Sequence, residues 1–434
     1  MRSLKVTGWF VAIAALFLAP QWARPQGRLG DTKSLDKAFG ENGLRRSALI
    51  RGDEQATKAD AAIAEAVANY YLYRLTHVEL DPVKVHAGFS SEISNLTELT
   101  IDKKPRPNRA YIDLLGPALV RSTKEVLANR DVKITSNQAC VIHTAMMLPV
   151  MAKLKQTDIN DFLAELIEDK STHDAVRLYA LRAMRDAMPA YRQPDDLELY
   201  IDKDKKRIDR DARYVGLLTN YINVKANADS ATLGDLAAVR FVRKEAIIAL
   251  GQAGTPAVIA GKLGKNEITR GMIAPTLLNV MAGNVQPPPS LQEKIEAAIG
   301  ACNMKRGFIS DYDSTVTTYL IGKTIMEFVN DYKKDFQQIA VTGKDRKLPK
   351  IAYKHDAQRL KDALAKYPEN VGTPASTELK KKADLILQRI ATPATGALYS
   401  LPDEPRVNDL RLWLKAPANG KVFPNLKAPE VILP

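Results

Sequence analysis

The chain has 434 residues, 45% hydrophobic and 26% charged, a balance that excludes a wholly disordered polypeptide and leaves room for two or three packed units. Its net charge of +13 favours anionic company, such as an acidic protein, an acidic polysaccharide, lipid headgroups or extracellular nucleic acid, without choosing among them. With two cysteines, Cys140 and Cys302, no disulfide framework can hold the fold; one bridge between them and two separate thiols both stay open.

At the N-terminus, Arg2 and Lys5 precede an apolar run from Val6 to Ala19, the layout of a secretory signal peptide. The run is shorter than the roughly 20 apolar residues that a spanning helix needs. A signal over residues 1–23 is therefore expected, and with it a periplasmic or secreted address. An uncleaved anchor is the alternative, and this segment is then the chain's one membrane contact. Residues 24–56, rich in glycine and charge, lack a sustained period and read as a mobile lead-in.

From Lys58 to Thr76, Ala62, Ile63, Ala66, Val67, Tyr70 and Tyr71 recur at three- and four-residue spacing, which predicts an amphipathic helix. Helical periodicity then returns near 109–128, 137–154, 158–170, 174–188, 208–224, 236–251, 270–282, 290–302, 311–336, 355–366 and 377–391. Breakers separate these segments: Pro105 and Pro107, Pro189 and Pro194, the triple proline at 287–289, and the stretch 392–396. An all-α chain of short paired helices follows.

Internal similarity supports pairing. When Arg177 is set against Arg243, Asp169 matches Asp235, Val176 matches Val242, Ala180 matches Ala246, and Leu181 matches Ile247. Ala183 then matches Ala249, and Met184 matches Leu250. A fainter copy lies 40 residues before Arg177, with Asn137 at the arginine position and Cys140 at the first alanine. These stretches resemble the second helix, and the turn before it, of HEAT-type helical repeats. The resemblance is clear over residues 136–265. It implies an α-solenoid, a superhelical stack of antiparallel helical hairpins of about 40 residues each. The alanines let neighbouring backbones approach, and Asp169 and Asp235 stand at turns where they can cap the following helix. The resemblance further implies that Arg177 and Arg243 bond to such turn carboxylates and form a ladder along the stack. Arg177 and Arg243 lie 66 residues apart, and the excess falls in the charged stretch 192–214, an expected solvated insertion.

The expected organisation is a repeat domain over 57–302, a C-terminal helical extension or cap over 303–415, and a proline-rich tail over 416–434. No HExxH, P-loop, nucleophile-elbow or dinucleotide-binding motif is present. His77, Glu79, Asp81 and His86 form the densest ligand-type cluster, but on a loop spacing that enforces no metal geometry. Cys140, at a small buried position of the repeat, reads as a packed thiol, and Asp311 and Asp313 read as helix caps. No catalytic residue, metal or cofactor is expected.

Basic stretches are the remaining lead. Lys344, Arg346, Lys347, Lys350 and Lys354 gather within 343–361, and a second run covers 102–109. The low aromatic content, 6%, lacks the stacking residues of single-strand readers, so no specific nucleic acid is expected. The sequence points to an exported, non-catalytic scaffold that binds a protein or acidic envelope macromolecule through a solenoid face with a basic region. The alternative is an enzyme or cofactor-handling protein whose site shows no motif.

Overall fold

A computed structural model describes residues 28–97, 108–131, 133–188, 205–223, 233–254, 259–262, 267–270, 273–305, 313–342, 347–393 and 400–415. Among these residues the protein is all-α, with sixteen α-helices and one two-stranded antiparallel hairpin. The chain divides into two compact units that part between Ala187 and Met188.

The first unit contains α1 (Thr32–Glu41), α2 (Gly43–Arg51), a short 3-10 turn (Lys58–Asp60), α3 (Ala61–Arg74), α4 (Pro82–Thr97), α5 (Arg109–Ala128), α6 (Thr135–Ala152), α7 (Thr157–Glu168) and α8 (Asp174–Ala187). Each helix packs on the one two places further along: α1 on α3, α3 on α5, α5 on α7, and likewise α2 on α4, α4 on α6, α6 on α8. Contacts between consecutive helices join the two rows. A periodic helix has one apolar stripe, and stacking hairpins in two rows buries every stripe between them.

The second unit repeats this logic with α9 (Lys205–Asn223), α10 (Leu233–Gly251), α11 (Ile273–Ala282), α12 (Leu291–Asn303), α13 (Ser314–Thr342), α14 (Lys347–Val371), α15 (Pro374–Ala391) and α16 (Glu404–Lys415). One row runs α9, α11, α13, α15 and the other α10, α12, α14. The last helix, α16, lies against α13 and α15. Strands β1 (Ile259–Lys262) and β2 (Glu267–Arg270) form the hairpin between α10 and α11.

The aligned small and aliphatic positions are core positions. Ala180, Leu181, Ala183 and Met184 on α8 are fully buried, as are Ala246, Ile247, Ala249 and Leu250 on α10. Asn137, Cys140 and Val141 of the fainter copy face the interior from α6. Small residues set close crossings here. A Cβ on Gly251 would lie 2.8 Å from the Gly300 Cα, so α10 and α12 cross with backbones in contact.

Several expectations need correction. Residues 24–56 are no mobile lead-in throughout, because α1 and α2 occupy 32–51. Asp31 accepts the Ser34 N–H at 3.1 Å to start α1, Gly52 ends α2 in the left-handed region at φ +70°, and Leu35 and Leu49 are buried. Nor is the stretch around His86 a loop. Pro82 opens α4 with its fixed φ, and Asp81 accepts the Val83 N–H at 2.9 Å. The two-row packing also continues past 302, so the division of the chain falls near 187. A weakened motif hid this continuation, since packing needs only an apolar stripe and tolerates any residues that supply one.

Candidate functional site

A groove of about 450 Å³ opens in the first unit between α1, α3 and α4. Phe39 comes from α1, Tyr70, Tyr71 and Arg74 from the last two turns of α3, and Lys84, Val85 and Gly88 from the start of α4. The connecting turn adds Glu79, Leu80 and Asp81. The aromatic wall is a stack: Phe39 and Tyr70 lie parallel at 3.8 Å, with Tyr71 edge-on to both. Guanidinium groups cover its outer faces, Arg46 at 3.6 Å from the Phe39 centroid and Arg74 at 4.6 Å from that of Tyr70.

Charges around the groove are partly spent. Arg74 pairs with Asp36 at 2.6 Å, and Arg28 donates to Glu79 at 3.0 Å. Behind the wall, Glu92 lies 3.4 Å from Arg46 and accepts from the Tyr71 hydroxyl at 3.4 Å. Burial pushes the Glu92 carboxyl above its ordinary range, with Arg46 opposing. Gly88 belongs to the architecture, since a Cβ there would meet the Tyr71 ring at 3.2 Å.

The histidine cluster does not converge. His77 is buried with Nδ1 3.4 Å from Glu79, whereas His86 bonds the His143 carbonyl at 2.9 Å from α4 to α6. Burial lowers the pKa of both His86 and His143. Among the described residues no group of three or more His, Cys, Asp or Glu side chains is placed to hold a metal ion. Cys140 and Cys302 are both free, buried thiols. Burial raises both pKa values, which disfavours the reactive thiolate. Asp313 caps α13, accepting the Thr315 N–H at 2.8 Å, and Asp311 lies outside the described residues.

The repeat-motif polar residues behave differently from the expectation. Asp169 ends α7 and accepts from Ser171, while His173 caps α8 by accepting the Ala175 N–H at 3.2 Å. Arg177 donates to the carbonyls of Asp169, Lys170 and Thr172 and to the Asp174 carboxylate, so it laces its own turn. Asp235 falls within the first turn of α10, with a side chain outside the described set. Arg243 is buried and finds its carboxylate on the next helix of its row, Glu293 of α12, at 2.6 Å, and a carbonyl at Pro287, at 2.9 Å. A turn aspartate on the same hairpin could not serve an arginine pointing into the helix crossing. A second such contact links α12 to α14, where Arg359 grips Glu296 at 2.6 and 2.5 Å. Sequence reasoning missed Glu293 and Glu296, although two glutamates three apart on one helix face were a visible signal, and Arg359 reads from sequence as part of the basic run 343–361 rather than as the partner of Glu296.

Of the basic residues, Lys344 and Arg346 lie outside the described residues, as do the side chains of Lys347 and Lys350, which belong to α14. Lys354 is half-buried on the same helix. The run at 102–109 is described only from Asn108 onward. No described helix is long and apolar enough to cross a membrane.

Comparison with known proteins gives no match: no family model fits the sequence, and no curated protein or solved structure matches it.

Proposed function

We propose that the protein is an exported, non-catalytic helical-repeat scaffold of the HEAT type, which binds an acidic protein or other acidic envelope macromolecule. The observation that carries the proposal is the two-row packing in both units, in which successive helices of a row lie two places apart in the chain. Stacks of this kind present long rows of helix ends and faces to a partner rather than one enclosed site. The paired repeat, the signal-like N-terminus and the basic composition add support.

Cross-linking mass spectrometry on the native envelope fraction, followed by reconstitution with the purified partner, tests this. A saturable, salt-sensitive complex is expected. Absence of any such complex, or retention of the unprocessed protein in the cytosol, would overturn it. A second proposal, an enzyme or a protein that handles small molecules, draws on the groove between α1, α3 and α4, where two carboxylates and two cations meet an aromatic wall. Turnover of a small molecule by the purified protein would favour it over the scaffold.

A further inference from the structure

We infer that the outward face of α15 and α16, the last two helices of the second unit, is a docking surface for the chain's own C-terminal segment, residues 416–434. This goes beyond the scaffold proposal and is independent of it.

The face is defined by what the two helices bury. α15 turns Leu379, Ala383, Ile386 and Ile390 inward, and α16 turns Val407 and Leu410 inward. At about 3.6 residues per turn, Leu385 and Leu412 then point away from these buried stripes, and both are exposed. Leu379 and Leu414 both lie against Gly322 of α13, and Lys382 reaches Asp409 at 2.8 Å, so α15 and α16 run antiparallel. Leu385 and Leu412 therefore stand one turn to either side of that ion pair. Leu401, which precedes α16, is exposed as well, and Trp413 beside Leu412 is half-buried. Three of the seven exposed large apolar residues among those described thus fall on these two helices and the turn before α16. A stack covers the outward face of each hairpin with the next one, and no helix follows α16 among the described residues.

The chain itself supplies a cover. Residues 416–434 follow directly on α16 and carry Val422, Phe423, Leu426, Val431, Ile432 and Leu433. Pro417, Pro424, Pro429 and Pro434 bar a helix of the length of α15 or α16, so this segment cannot add another hairpin and binds as an extended strap. At up to about 3.3 Å per residue, Phe423 reaches roughly 26 Å from the end of α16. That exceeds the length of α16, about 18 Å at about 1.5 Å per residue. The strap can therefore turn back along α16, lay an aromatic ring beside Leu412 and carry its last apolar residues towards Leu385 and Leu401. A tethered segment also meets the face at an effective concentration in the millimolar range, which a second copy or a separate partner in dilute solution does not match.

The test uses the full chain carrying Trp9→Phe and Trp22→Phe, which leaves Trp413 as its one tryptophan. In this background the accessibility of Trp413 to acrylamide should be independent of protein concentration. Val422→Asp with Phe423→Asp should raise the quenching of Trp413 at least twofold and shift its emission to longer wavelength, with the helical circular dichroism unchanged. Val431→Asp with Leu433→Asp should change both in the same direction by less. Leu44→Asp, at an exposed position in the first unit, should leave Trp413 as in the parent. Protection of Trp413 that disappears on dilution would show that a second copy covers the face, and protection that needs added phospholipid vesicles would show a lipid surface. Either result, or quenching left unchanged by both tail variants, would overturn the inference. None of these outcomes bears on the macromolecular complex, which the reconstitution experiment reads separately.

Discussion

The two units stack helices in the same way, yet one row of the first joins its helices with charge pairs at the surface and one row of the second with pairs sunk between helices. In the first unit the pairs lie on the surface of one row: Asp36 with Arg74, Glu65 with Arg121, Lys124 with Glu165. Both partners of the last two pairs are more than half exposed, at 57% and 52% and at 53% and 53%. Along the row α10, α12, α14 of the second unit the contacts are sunk between helices, with Arg243 and Glu293 at 2% and 0% exposure and Glu296 buried under Arg359, and Arg46 and Glu92 are likewise sunk between α2 and α4 of the first. Water screens the first set, so each pair contributes a fraction of a kcal/mol, on the order of 0.2 to 1. The second set has given up its hydration and is held by geometry, so losing one partner strands a charge. Charge pairs between row neighbours thus serve solubility where they lie at the surface and register where they are buried.

The largest effect should come from Glu293→Ala, which leaves the buried Arg243 guanidinium unpaired and also removes the capping contact of Glu293 with Ser290. A loss of about 3–5 kcal/mol is expected in denaturant unfolding. The double change Arg243→Met with Glu293→Met should recover most of it, and failure to recover would mean that the pair contributes net stability. Ala246→Leu comes next. The side chain is fully buried on α10, and overpacking should cost about 1–3 kcal/mol, against little change for Ala61→Leu at an exposed position on α3.

A smaller effect separates the units by pH. Burial lowers the pKa of His86 and His143 in the first unit from an ordinary 6.5. The fold therefore prefers their neutral forms, so their contribution is present above about pH 6.5 and is lost as pH falls below it towards the folded-state values. His86→Gln should flatten the acid limb of the melting curve. An unchanged limb would remove these histidines from the account. The smallest effect should be Lys124→Ala, whose pair with Glu165 is exposed; less than about 1 kcal/mol is expected, and screening by 1 M salt should erase it. A loss approaching that of Glu293→Ala would abolish the contrast between surface and buried pairs.

Legibility in the sequence followed the range of the interaction. Ala180, Leu181, Ala183 and Met184 announced a buried face because helix periodicity is a local property, and their buried counterparts on α10 repeat it. The helix over 82–97 was not legible, its start reading as a loop, although Pro82 sits where a first helical turn accepts it. The groove was not legible at all. Phe39, Tyr71 and Lys84 belong to three helices, and nothing in their spacing brings them together.

Composition and periodicity by themselves determined an all-α protein of paired helices with small residues at its crossings, because apolar stripes and backbone clearance depend on residues three and four apart. Tertiary structure alone decided which carboxylate Arg243 would meet and which side chains would share a groove. Such choices depend on separate helices being laid side by side, with Arg243 and Glu293 50 residues apart, and no local rule fixes the register at which they meet.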